Sequence, residues 1–135
     1  MESNSPIEQF LDGKPHAVVG ASANRQKYGN MVLRNYLQKN REVYAVNPGT
    51  DEIEGVPSFK NLTQIGKPMH GISIITPPAV TEAVVEEAIE LGIKHIWMQP
   101  GAESNSAIAS AEKAGINVIA GGPCLLVVLG FQADA

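Results

Sequence analysis

Five short apolar runs, separated by stretches with helical spacing, leave this chain few folds to choose from. The runs are Ala17 to Val19, Glu42 to Val46, Gly71 to Ile75, His95 to Met98 and Asn117 to Ala120. Most end on glycine, proline or small polar residues, as strands do when they finish in a turn. Tyr28 to Asn40 reads as a helix, because Val32 and Tyr36, and Leu33 and Leu37, fall four apart. About Pro78 to Leu91 reads as a longer one, with Val80, Val84, Ala88 and Leu91 on one face. Ser104 to Ala114 reads as a third, closed by Gly115. Ile7 to Leu11 opens the chain as a short helix, with Ser5 as its cap and Pro6 in its first position. Asn61 to Ile65 suits one helical turn, the segment around Ile53 to Phe59 reads as loop, and Leu125 to Leu129 suits strand or helix equally.

Alternating short apolar strands with helices predicts an α/β fold in which the strands are buried on both faces. Right-handed crossovers make this a Rossmann-like, doubly wound parallel sheet of about five strands in the order 3-2-1-4-5, with helices on both faces. At 135 residues, with no repeat or linker, the chain is expected to be one domain spanning 1–135.

A formal net charge of −4 argues against broad nucleic-acid binding. The longest apolar run, Leu125 to Leu129, is far shorter than the roughly 20 residues a membrane helix needs, so no membrane association is expected. The polar first residues lack the apolar stretch of a signal peptide, and Cys124 has no second cysteine to pair with. A reduced, cytoplasmic setting is the expectation.

Ligands of an open parallel sheet bind beyond the carboxyl ends of the strands. Those ends are Gly20-Ala21-Ser22, Asn47-Pro48, Thr76-Pro77-Pro78, Gln99-Pro100-Gly101 and Gly121-Gly122-Pro123-Cys124. Small residues at the first end let backbone N–H groups approach a phosphate ahead of a helix start. Ser22 and Arg25 stand at the second and third glycine positions of the dinucleotide fingerprint. Asn47, followed by Pro48, stands where a nicotinamide site carries its acidic ribose anchor. Arg25 and Lys27 are the cations beside the cradle and candidates for phosphate contact. No catalytic set is evident. His16 and His70 precede strands and His95 starts one, all at the edge away from the cleft, and no strand end carries a carboxylate. No metal-ligand spacing occurs. Cys124 lies beside the cleft and reads either as a reactive thiol or as a small buried hydrophobe.

In this order and spacing, Val18-Val19-Gly20-Ala21-Ser22, Tyr44-Ala45-Val46-Asn47-Pro48, Ile96-Trp97-Met98-Gln99-Pro100-Gly101, and Gly115-Ile116-Asn117-Val118 followed by Cys124 resemble the recurring blocks of the small single-domain CoA-binding proteins. These are relatives of the CoA-binding domain of the succinyl-CoA synthetase α-subunit. The resemblance covers about Ile7 to Cys124 and implies a Rossmann-like fold that binds coenzyme A or an acyl-CoA, with no established catalytic machinery of its own. It implies that Gly20, Ala21 and Ser22 face the pyrophosphate, and that Asn47 and Pro48 border adenosine. Thr76 and Pro77 would flank the middle of the ligand, with Gln99, Pro100 and Gly101 at the pantetheine end. The synthetase relative has a lysine shortly after its second strand that meets the ribose phosphate. Here Pro48-Gly49-Thr50-Asp51 offers no cation, which leaves that task to Arg25 or Lys27. Many relatives carry Asp-Arg-Cys or Asn-Arg-Cys where this chain has Gly122-Pro123-Cys124.

The expected function is therefore CoA binding without turnover, by a protein that is not itself an enzyme. A nicotinamide-dependent oxidoreductase and a regulatory or structural partner with a degenerate nucleotide pocket are the alternatives. A protein partner or homo-oligomer is left open, as are the acyl group and the pathway.

Overall fold

The computed structural model describes residues 5–133. Its elements run α1 (Pro6–Leu11), β1 (His16–Val19), α2 (Tyr28–Gln38), β2 (Val43–Val46), β3 (Glu52–Ile53), β4 (Val56–Phe59), α3 (Leu62–Ile65), β5 (Gly71–Ile74), α4 (Pro78–Glu90), β6 (His95–Met98), α5 (Asn105–Lys113), β7 (Asn117–Ile119) and α6 (Leu125–Val128). The strands form one sheet in the order β3-β4-β2-β1-β5-β6-β7, parallel except for the β3–β4 pair.

The doubly wound parallel sheet is thus present, with two corrections. Among the described residues there are seven strands rather than about five. The third parallel strand is also not Gly71 to Ile75, which lies beside β1. The place outside β2 is taken by Val56–Phe59, a segment that reads as loop because Pro57 interrupts it. Counted with β4 as third, the parallel strands β1, β2, β4, β5 and β6 do follow 3-2-1-4-5, and β7 adds a sixth. The hairpin before β4 turns through Glu54 and Gly55, whose φ values of 51° and 83° suit a two-residue turn of type I′. Leu125–Val128 resolves the last ambiguity as a helical turn.

Side chains alternate across the sheet into two cores. Ala17, Val19, Ile72, Ile74, Ile96 and Met98 pack with α3, α4 and α5 on one face. Val18, Ala45 and Trp97 pack with α1, α2 and α6 on the other. Burial on both faces is why these strands carry near-continuous apolar runs. No helix among the described residues is long and apolar enough to cross a membrane.

The amino-terminal edge of the sheet holds an imidazole stack. The His70 ring lies 4.3 Å from that of His95 and 5.5 Å from that of His16. His16 is buried, with Nε2 against the Phe10 carbonyl at 2.8 Å. Burial pushes its pKa down from 6.5 to about 4, and burial also lowers that of His95. A folded-state pKa below the unfolded one means that the unfolded chain takes up protons first as pH falls. The stability is complete above about 6.5 and is lost as pH drops toward 4. For His16 alone, the loss between about pH 6.5 and 5 should be on the order of 2 kcal/mol. Urea unfolding across that range should show it, with a shallower slope in His16→Phe. An unchanged slope in the variant would place the acid sensitivity elsewhere.

Candidate functional site

An elongated cleft runs across the carboxyl ends of the parallel strands, in two lobes. The first, about 610 Å³, is bounded by the ends of β1, β2, β4 and β5 and by the start of α2. The second, about 550 Å³, lies between Tyr28, the β5 end and the turns after β6 and β7. Tyr28, Ile75, Thr76 and Pro77 line both lobes.

The cradle after β1 is shaped by two close backbone approaches. Gly20 has a φ of +97°, and a Cβ there would stand 2.1 Å from the Ile75 carbonyl oxygen. A Cβ at Gly29 would stand 2.0 Å from the Gly20 carbonyl oxygen, so the first turn of α2 rests directly on the cradle. Asn47 Nδ2 donates to the Ala21 carbonyl oxygen at 2.8 Å, and Asn47 Oδ1 accepts from Gly49 N–H at 2.7 Å. Asn47 therefore pins the cradle from β2 as well as lining the lobe. Ser22 Oγ accepts from Asn24 N–H at 3.1 Å, and Asn30 Nδ2 donates to the Ser22 carbonyl oxygen at 2.8 Å. α1, α3 and α5 have side-chain caps from Ser5, Asn61 and Ser104. α2 and α4 start at the cleft and have none. An uncapped helix start presents N–H groups and positive partial charge to an anion.

The structure separates the two predicted cations. Lys27 lines the first lobe. Arg25 lines neither lobe; its Nε lies 3.7 Å from Glu54 Oε2. Lys60, at the end of β4, lines the first lobe beside Asn61 and was missed by sequence reasoning. The signal available was Val56 to Phe59 followed by a lysine, which has meaning only once that segment is a strand. Among the described residues, neither Lys27 nor Lys60 is in an ion pair. Among the described residues, Glu87 is the only carboxylate lining either lobe. Its oxygens are held by Leu62 N–H, Thr63 N–H and the Thr63 hydroxyl, at the start of α3.

Ala21, Ser22, Pro48, Thr76 and Pro77 all line the first lobe. Pro100, Gly101 and Cys124 line the second. Gln99 does not: it is wholly buried, behind the lining. Its Oε1 accepts from Leu125 N–H at 2.9 Å and from the Tyr28 hydroxyl at 3.2 Å. The Tyr28 hydroxyl also contacts Cys124 Sγ. Trp97, in the core, donates from Nε1 to the Pro123 carbonyl oxygen at 3.0 Å and so fixes the turn that carries Cys124. The Thr76 hydroxyl is bonded to buried Thr81 at 2.8 Å, which ties the β5 end to α4. His16, His70 and His95 stand at the opposite edge of the sheet and line neither lobe.

Residues 14–130 match the family described as CoA binding domain. The chain is 28% identical over 129 residues to acetate–CoA ligase (ADP-forming) I of Archaeoglobus fulgidus, a match covering 88% of this chain and 19% of the ligase. The chain therefore spans about a fifth of that ligase's length. It is also 28% identical over 118 residues to Bacillus subtilis YneT, covering 87% of each. A solved structure of a conserved hypothetical protein from Pyrococcus furiosus superposes with a TM-score of 0.80 at 41% identity, covering 86% of this chain and 99% of that one.

Proposed function

The chain belongs to the CoA binding domain family, and on that premise we propose that it holds coenzyme A or an acyl derivative in the two-lobed cleft without turning it over by itself. The shape and lining of that cleft carry the reading. From β4 to β7 there are five strand spacings of about 4.8 Å, or roughly 24 Å, so the cleft suits a ligand with a charged nucleotide end and a long arm. The cradle after β1, pressed between Gly20, Gly29 and the uncapped start of α2, takes the pyrophosphate. The β2–β4 end, with Asn47, Pro48 and Lys60, takes the adenosine and its ribose phosphate, and Lys27 at the start of α2 faces the pyrophosphate side. The largely apolar second lobe, with Ile75, Pro77, Pro100 and Ala102, takes the pantetheine arm.

A nicotinamide dinucleotide fits this site less well. Asn47 stands in the place of the acidic ribose anchor and is committed to the Ala21 carbonyl. Turnover has no support in the lining. Its one carboxylate, Glu87, caps α3, and the histidines are across the sheet. A chain that matches a fifth of an ADP-forming acetate–CoA ligase is read as the part that holds CoA, with acyl activation left to other polypeptide.

Thermal denaturation with CoA, acetyl-CoA, NAD and ATP tests the reading. A ligand at about 100 times its Kd adds roughly 2.7 kcal/mol to the native state. CoA and acetyl-CoA should each raise the midpoint by several degrees, and NAD should leave it nearly unchanged. A shift with NAD and none with CoA would overturn the proposal.

A further inference from the structure

We propose that the second lobe selects CoA thioesters with uncharged acyl groups and turns away acyl groups that end in a carboxylate, with Glu103 sharpening the choice. The inference rests on the CoA reading above and names the class of thioester that the same site takes.

The two lobes differ in charge. Lys27 and Lys60 line the first. Among the described residues, no Asp, Glu, Lys, Arg or His side chain lines the second, and Ile75, Pro77, Pro100 and Ala102 give it an apolar wall. An arm laid from Pro77 toward the turns after β6 and β7 carries its acyl group to Gly101 and Cys124. A carboxylate arriving there meets no cation.

Donors that a carboxylate could use around this lobe are already committed. Gly101 N–H donates to Glu103 Oε1 at 2.8 Å, and Ala102 N–H donates to the Gln99 carbonyl oxygen at 2.9 Å. The Tyr28 hydroxyl donates to Gln99 Oε1, and burial holds it well above the usual phenol range, so it stays neutral. The Thr81 hydroxyl has the Pro77 carbonyl oxygen at 3.3 Å as its acceptor, so the hydroxyl hydrogen of Thr76 goes to Thr81. Pro77, Pro78 and Pro100 have no N–H. Val80 and Thr81 N–H both donate to the Pro77 carbonyl oxygen, which takes up most of the donors at the start of α4.

Glu103 adds a repulsion. Its carboxylate is bonded to the wall at Gly101, so a fixed negative charge stands beside the place where the acyl group ends. A second carboxylate brought there would lose water, find no partner and face a like charge, and each of these weakens binding. A methyl group in the same place gains contact with the apolar wall. Rejection of this kind gives specificity without any new attractive contact. The lobe is open to solvent on one side, so a carboxylate keeps part of its water and is disfavoured rather than wholly excluded.

Butyryl-CoA and succinyl-CoA provide the test, because they differ chiefly in a terminal methyl against a terminal carboxylate. Titration calorimetry of the full chain should find butyryl-CoA at least as tight as CoA, and succinyl-CoA at least about tenfold weaker than butyryl-CoA. In Glu103→Gln the amide oxygen still accepts from Gly101 N–H, so the turn is kept and only the charge is lost. The gap between the two thioesters should narrow to about threefold in that variant. Succinyl-CoA binding within about twofold of butyryl-CoA in the unsubstituted protein overturns the proposal. A gap that Glu103→Gln leaves unchanged overturns the role given to Glu103. In both of those cases CoA binding itself stands, whereas an absence of binding for all three ligands overturns the CoA reading as well.

Discussion

Gly29→Ala should destabilise the protein and weaken CoA binding, although helix propensity alone gives the opposite sign for stability. Alanine is favoured over glycine inside a helix by about 1 kcal/mol. At Gly29 the added Cβ would stand 2.0 Å from the Gly20 carbonyl oxygen and 3.3 Å from the Ala21 Cα. Both are backbone atoms, so no side chain can rotate out of the way. α2 would have to lift from the β1 turn, and forcing extra volume into a packed contact costs about 1–3 kcal/mol or more. The net destabilisation should be about 2 kcal/mol, read as a lower urea midpoint with an unchanged slope. The same displacement moves the uncapped helix start away from the phosphate cradle. Losing two backbone hydrogen bonds to a charged group, at about 1.5 kcal/mol each, would weaken CoA by more than about tenfold. A variant as stable as the parent, with undiminished CoA affinity, would show that the close approach is not what shapes the cradle.

The strands that form this cradle were legible because they are buried on both faces. Ala17 to Val19 and His95 to Met98 are apolar for that reason, and their ends are marked by Gly20 and by Pro100-Gly101. The edge of the sheet was not legible. β3 is two residues long, β4 contains Pro57, and the turn between them uses Glu54 at a positive φ where Asn or Asp is the familiar signal. Glu54 is held there by the fold: its carboxylate accepts from Asn30 Nδ2 at 3.0 Å and lies 3.7 Å from Arg25 Nε. Such contacts reach across 24 residues or more and leave no local pattern.

One unread hairpin changed the electrostatic reading of the site. With Val56 to Phe59 taken as loop, Arg25 and Lys27 were the only cations that could be placed near the phosphates. The hairpin carries Glu54 to Arg25 and delivers Lys60 to the cleft. Gln99 illustrates a different limit. The sequence places it at a strand end, but only the packing of Tyr28 and α6 over it decides that its amide faces inward. Position along the chain located the wall, while side-chain direction depended on distant elements.

Lys60→Ala should therefore weaken CoA by about tenfold, and dephospho-CoA by much less. Lys60 stands at the β4 end of the cleft, beside Asn61 and on the far side of β2 from the β1 cradle. A charge-assisted bond to phosphate contributes about 1.5–3 kcal/mol when well shielded, and Lys60 is exposed, so the lower end applies. Lys27 sits at the start of α2 and serves the pyrophosphate side of the lobe. Lys27→Ala should weaken CoA and dephospho-CoA alike. Arg25→Ala should change neither by more than about twofold, since its exposed guanidinium makes a long, solvent-screened pair of little worth and lines neither lobe. Titration calorimetry of the three variants with both ligands, at low and at physiological salt, separates these roles. If Lys60→Ala reduces both ligands equally, the ribose phosphate lies elsewhere and Lys60 acts on the pyrophosphate. If it reduces neither, the β4 end of the cleft does not hold the nucleotide.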